Sequence, residues 1–150
     1  MPSRSAQVLV ARGLARGRVL DFGCGFGLDA ETFGWDGYDP LYRPRDPTGP
    51  YDTIVCTLVL NVLSRGNRAK ALRRIQDLLA PNGRAYLAVA RNIPCTGKLG
   101  VRHCVQSYVV LLLRVVHEDA DLAIYELRKD DIVDDRTRDF ISRRDARRDP

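Results

Sequence analysis

Apolar residues recur along this chain with two different spacings, and the switches between them predict its elements. Residues 5–15 read as a helix, with Ser5 as its cap and Val8, Leu9 and Leu14 on its apolar side. Residues 18–22 form a short strand carrying Val19, Leu20 and Phe22, and a glycine loop follows at 23–27. Residues 28–33 allow one short helix, stopped by Gly34, and residues 35–39 make a second strand. Residues 40–51 hold Pro40, Pro44, Pro47 and Pro50, which exclude a helix and any internal strand. Residues 53–59 are apolar and β-branched and predict a buried strand. The clearest helix spans 67–80, where Leu72, Ile75, Leu78 and Leu79 make one face and Arg68, Lys70, Arg73 and Arg74 lie mostly outside it. Pro81-Asn82-Gly83 stops that helix, and residues 84–90 form the next strand. A long connection runs through 91–106. Residues 107–113 and 122–128 then predict an antiparallel pair. Residues 130–150 mix acids and arginines with few apolar positions and read as a flexible tail, which leaves residues 1–129 as one domain.

Strands alternating with helical segments argue for an α/β protein with a mostly parallel sheet. Thirteen residues separate Asp21 from Trp35, barely enough for a parallel crossover. Trp35 and Phe22 are expected in the core. At 150 residues the chain fits one domain and excludes a complete two-domain dehydrogenase. No apolar run approaches the length of a membrane helix, and the N-terminal residues lack a signal-peptide pattern, so the expected location is cytoplasmic, with no membrane partner. Cys24, Cys56, Cys95 and Cys104 form no CxxC pair and no zinc spacing, which predicts reduced, packed thiols and no metal.

Charge changes the picture by segment. Residues 19–63 carry seven acids against Arg43 and Arg45, whereas residues 64–117 carry ten basic residues against Asp77 alone. A basic face attracts anions such as phosphates, carboxylates or nucleic acid.

The residues that carry chemistry lie at the first strand. Asp21 precedes Gly23, Gly25 and Gly27, so a carboxylate stands at the strand's C-terminal end beside a backbone that can turn tightly and approach a ligand. Asp39 ends the second strand, where a carboxylate can accept ribose hydroxyls.

This constellation resembles the class I S-adenosylmethionine-dependent methyltransferases. Their first motif, an acid followed by GxGxG, matches Asp21, Gly23, Gly25 and Gly27, and their second matches Asp39 in Gly37-Tyr38-Asp39-Pro40. Tyr51-Asp52-Thr53-Ile54-Val55-Cys56 is similar to the family's fourth strand. Leu78 to Leu87 is similar to the approach to its fifth, with Asn82 in place of a glycine. The resemblance spans residues 8–128 in order. It implies a three-layer Rossmann-like fold with the usual third strand missing. The strand order is 2-1-3-4-6-5 in this chain's own count, and the last strand is antiparallel. It also implies S-adenosyl-L-methionine as cofactor, held by Asp21, Gly23, Cys24, Gly25, Gly27, Asp39, Pro40, Thr57 and Leu58. The proline-rich loop replaces the third strand, so Leu41 or Tyr42 is expected to substitute in holding adenine. Position relative to the later strands makes Asn61, Arg91 and His103 the candidate catalytic residues. Arg91, Lys98 and Arg102 could hold an anionic acceptor, either a small molecule or nucleic acid.

A nicotinamide-binding fragment competes, because Gly25 to Ala30 fits GxGxxA. Asp39 then falls 14 residues after the first glycine, against roughly 20 in that fingerprint. Asp21 would also face a pyrophosphate, whereas a cationic sulfonium tolerates it. No Asn/Asp-Pro-Pro-Tyr motif is present and Pro94-Cys95 follows the wrong strand, so no covalent intermediate is expected. The alternative from another class is a non-catalytic binding module of the same fold, acting through its basic face. Nothing in the sequence fixes the acceptor or the oligomeric state.

Overall fold

A computed structural model of the chain describes residues 1–94, 98–99 and 105–133. Helix α1 spans Arg4–Ala11, four residues shorter than expected at its end. Ser3 rather than Ser5 caps it, its Oγ accepting the Ala6 N–H at 3.2 Å. Strand β1 (Val19–Phe22), helix α2 (Leu28–Phe33) and strand β2 (Asp36–Tyr38) follow as the apolar pattern predicts. No strand or helix forms between β2 and β3 (Tyr51–Thr57). A 3₁₀ turn at Leu60–Val62 then leads to α3 (Arg65–Leu78), capped by Ser64.

Two boundaries differ from the sequence reading. Helix α3 ends two residues early because Leu79 turns extended and starts β4 (Leu79–Ala90) at once. Pro81-Asn82-Gly83 lies within that strand. The ladder absorbs it by a register shift opposite Tyr51 and Thr53. The long connection after β4 contains β5 (Lys98–Leu99) paired antiparallel with β6 (Val105–Gln106). Strand β7 lies at Arg114–Glu118 rather than 107–113, and β8 at Leu122–Arg128.

The main sheet has the order β2-β1-β3-β4-β8-β7. β2, β1, β3 and β4 are parallel, and β8 is antiparallel to both β4 and β7. This is the expected order, with β2 at the edge where a further strand would otherwise sit. Side chains divide between the two faces with the two-residue period of a strand. Leu20, Ile54, Cys56, Leu87, Tyr125 and Leu127 pack with Leu72, Ile75 and Leu78 of α3. Val19, Val55, Tyr86, Ala88 and Ile124 pack with Leu9 of α1. Helices on both faces complete the three layers. Phe22 is buried as expected, and Trp35 is half-buried against the α1 cluster and stacked on Phe33.

Residues 107–113 explain the displaced strand. Val109 and Leu111 are buried and alternate with more exposed neighbours, so the stretch has a strand's burial pattern without a strand's ladder. Two of its carbonyls are met by side chains instead. The Asn61 amide donates to Ser107 O at 2.7 Å, and the Arg91 guanidinium donates to Val109 O at 2.8 Å. Among the described residues no helix is long and apolar enough to cross a membrane, and no cluster of ligating side chains could hold a metal. Cys24 and Cys56 are free thiols, while Cys95, Cys104 and residues 134–150 lie outside the described residues.

Candidate functional site

The C-terminal ends of β1, β2 and β3 converge on one rim of the sheet, and Asp21 sits at its centre. It pairs in register with Gly37 of β2 and Val55 of β3. Its carboxyl is only 3% exposed, and no described residue hydrogen-bonds its side chain. Burial pushes its pKa up to about 7, with the carboxylates of Asp29 and Asp39 adding to the rise. A buried carboxylate left without a partner is costly, and the charge that best relieves the cost is a cation.

The glycine loop wraps this carboxyl. The N–H groups of Gly23 and Cys24 both donate to Tyr38 O, at 2.7 and 2.9 Å, which ties the loop to the end of β2. Gly23 has φ +81°, and a Cβ there would lie 2.4 Å from Cγ2 of Val59, a short branched side chain with little room to yield. Gly25 has φ +54°, and a Cβ on it would meet nothing within 4 Å, so open space lies over the loop. Cys24 has its thiol pushed up to about 11, chiefly by burial, and Cys56 is likewise raised by burial. Both stay protonated, which removes them as nucleophiles.

Asp39 organises the second half of the rim. Its Oδ1 accepts the N–H groups of Leu41 and Tyr42 at 2.9 and 3.0 Å, and its Oδ2 accepts the N–H of Gly25 at 3.1 Å. One carboxylate therefore holds both the glycine loop and the start of the proline-rich loop, and Oδ2 keeps a lone pair for a further donor. Pro40 lies exposed beside it in the turn. Arg43 closes the loop from below, donating to Phe26 O at 3.0 Å and pairing with Glu31. Phe26 is 78% exposed and Leu41 74% exposed. The rings of Phe26 and Tyr42 meet at 4.3 Å between centroids. These apolar groups form an exposed rim next to Asp39.

Thr57 ends β3, and Leu58 follows it. Thr57 Oγ1 lies 2.9 Å from Ser5 Oγ. Leu58 adopts φ +57°, a left-handed conformation rare for a branched side chain, and its N–H donates to Ala88 O at 2.9 Å.

The three expected catalytic residues are placed differently. Asn61 is 3% exposed and spends its amide on the fold: it donates to Ser107 O, and its carbonyl accepts the Ala90 N–H at 3.0 Å. The Arg91 guanidinium donates to Val109 O, to Tyr125 Oη at 2.6 Å and to Glu118 at 3.3 Å, and it lies over the Tyr108 ring. Its charge is thus paired and its side chain 7% exposed. His103 and Arg102 lie outside the described residues, as does the side chain of Lys98.

Sequence reasoning missed Ser3, Asp29 and Arg43. Asp29 accepts both the N–H and the hydroxyl of Ser3, at 2.6 and 2.5 Å, and so docks the start of α1 beside the glycine loop. No spacing rule links residues 26 positions apart. The one available signal was an acid in the first turn of α2.

The cofactor implied by the resemblance has a cationic sulfonium, an α-ammonium, a ribose and an adenine. The residues present fit it. Asp21 offers an unpartnered buried carboxylate, Gly25 offers room for a ligand, Asp39 Oδ2 offers an acceptor, and Leu41, Tyr42 and Phe26 offer apolar surface.

Residues 3–103 match a family model described as a methyltransferase domain. Three solved structures share the fold. They are the 1,6-didemethyltoxoflavin-N1-methyltransferase of Burkholderia thailandensis, a TehB-like SAM-dependent methyltransferase of Corynebacterium glutamicum, and the S-adenosylmethionine-dependent methyltransferase SibL. The first is 20% identical with a TM-score of 0.57 over 85% of this chain and 78% of that one. The second is 19% identical with a TM-score of 0.56 over 82% and 85%. The third is 15% identical with a TM-score of 0.56 over 81% and 53%, so this chain spans about half of SibL. No curated protein matches the chain in sequence.

Proposed function

Since the chain belongs to the methyltransferase domain family, we propose that it transfers a methyl group from S-adenosyl-L-methionine to a small-molecule acceptor. The observation that carries this reading is the buried, unpartnered carboxyl of Asp21 at the mouth of the glycine loop. When bound, S-adenosylmethionine supplies an electrophilic methyl group on a positively charged sulfur. The protein's task is then to bind and orient, because proximity supplies much of the acceleration of an in-line displacement.

In this reading Asp21 neutralises the cationic end of the cofactor, and the backbone of Gly23, Cys24, Gly25 and Gly27 cradles it. Asp39 accepts a ribose hydroxyl through Oδ2. Pro40 shapes the turn that presents Leu41 and Tyr42 to the adenine, in place of the absent third strand. Thr57 and Leu58 border the methyl-transfer end. Asn61 and Arg91 serve by fixing residues 107–109 over the 3₁₀ turn. The Burkholderia thailandensis structure holds 1,6-didemethyltoxoflavin and S-adenosylhomocysteine, which is consistent with a small-molecule acceptor here. Arg91 is paired with Glu118, and the Lys98 side chain and Arg102 lie outside the described residues.

Calorimetric titration with S-adenosylhomocysteine tests the reading. Wild type binds, and Asp39→Ala weakens binding by about 1–3 kcal/mol, the scale of a lost hydrogen-bonded carboxylate. Undiminished binding by both Asp21→Asn and Asp39→Ala would place the ligand elsewhere.

A further inference from the structure

A cavity of about 170 Å³ opens at the C-terminal ends of β3 and β4, walled by Leu58, Ala88, Ala90 and Leu122 on its apolar side and by Ser3, Ser5, Thr57 and Asn92 on its polar side. Its volume is close to the roughly 150 Å³ of a protein cavity that admits benzene. The cationic residue on its wall, Arg4, is already neutralised by Asp119 and Asp121, each at 2.7 Å. The left-handed Leu58 sits at its mouth, the kind of strained position that gathers at functional sites.

The polar wall has a direction. Asp29 Oδ2 accepts from Ser3 Oγ at 2.5 Å, so the Ser3 hydrogen is committed to the carboxylate. Ser5 Oγ lies 3.1 Å from Ser3 Oγ and must donate to it. Thr57 Oγ1 lies 2.9 Å from Ser5 Oγ and, by the same reasoning, donates to Ser5. Thr57 is therefore left with lone pairs and no hydrogen for the cavity. It can accept from a ligand and cannot donate to one.

We propose that this cavity is the acceptor subsite, that it takes an uncharged molecule of about one six-membered ring bearing an O–H, N–H or S–H, and that Thr57, Ser5 and Ser3 relay the acceptor's proton to Asp29. The proposal rests on the methyltransferase reading. As the acceptor's heteroatom forms its bond to the methyl carbon, the carbon–sulfur bond breaks and its electron pair stays on sulfur. The acceptor's proton passes to Thr57 Oγ1 while the Thr57, Ser5 and Ser3 protons each move one place toward Asp29, whose carboxylate gains one. Thr57 touches the acceptor, and Ser5, Ser3 and Asp29 act through it.

Phenol and toluene are suitable probes, alike in size but different in their hydrogen-bond donor. Binding to the full chain is followed by chemical-shift titration with and without saturating S-adenosylhomocysteine, in wild type, Thr57→Val and Thr57→Ser. Phenol binding is expected to fall about tenfold in the near-isosteric Thr57→Val and to recover in Thr57→Ser, while toluene is unaffected or gains. Phenol affinity that Thr57→Val does not change overturns the relay. Displacement of phenol by S-adenosylhomocysteine overturns the assignment as well, because the cavity then belongs to the cofactor. Failure of S-adenosylhomocysteine to bind wild type at all is a separate result that defeats the methyltransferase reading, whatever phenol does.

Discussion

Asp21 faces a conflict between stability and function that can be measured. Its carboxyl is buried without a partner, and its pKa in the folded protein is raised from 3.8 to about 7. A raised acid contributes stability that is fully present below pH 3.8 and is lost as pH rises through about 7. The loss approaches about 4 kcal/mol at about 1.4 kcal/mol per unit. Asp21→Asn removes that liability. The variant should be more stable than wild type at pH 8, by about 1–3 kcal/mol, and the advantage should shrink steadily as pH falls toward 3.8. It should also lose cofactor affinity. Equal melting temperatures for the two proteins at pH 8 would contradict the buried-charge account. The glycines make a second contrast at this scale. Gly23→Ala and Gly25→Ala share the strain of positive φ, about 1–2 kcal/mol. Only the first also collides with Val59. Chemical denaturation should therefore find Gly23→Ala the less stable, and a reversed order would show that the loop relaxes around Val59.

At the scale of elements, the sequence revealed what has a local cause. The short α2 ended by Gly34, the proline-broken connection and the apolar runs of β1 and β3 were all readable, because each depends on neighbours in the chain. Residues 107–113 were not, because their apolar alternation is that of a strand while their carbonyls are met by Asn61 and Arg91 from 46 and 18 positions away. The same two residues looked catalytic from their position after β3 and β4. In the structure both hydrogen-bond the carbonyls of residues 107–109. Asn61→Ala leaves the Ala90 N–H and the Ser107 carbonyl without their partner and should cost about 1–3 kcal/mol of stability. Hydrogen exchange at the Ala90 amide should quicken, with S-adenosylhomocysteine affinity held within about twofold. Unchanged stability with lost activity would restore Asn61 to the chemistry. The glycine loop and the acids beside it were legible because their spacing is local. The Ser3 to Asp29 contact that joins α1 to the site was not.

At the scale of the molecule, the sheet order β2-β1-β3-β4-β8-β7 brings three acids to one rim and leaves the β2 edge without a further strand. The connection between β2 and β3 is tied to the rim through Asp39 and Arg43. It also leaves a cleft of about 420 Å³ lined by Arg45, Asp46, Pro47, Thr48 and the ion pair of Arg18 with Asp36. That cleft is larger than the acceptor cavity but has no unpartnered buried group, so size does not locate the chemistry. The acidic rim gives the molecule a proton-linked affinity. Below pH 7 most Asp21 carboxyls are protonated and must ionise to receive a cation, so affinity for S-adenosylmethionine should rise about tenfold per pH unit up to about 7 and then level.

Titration of the wild-type protein with S-adenosylmethionine at pH 6 and pH 8 tests the central claim most directly. Binding at one site per chain, about tenfold tighter at pH 8, is the predicted result. No binding at either pH would contradict the account.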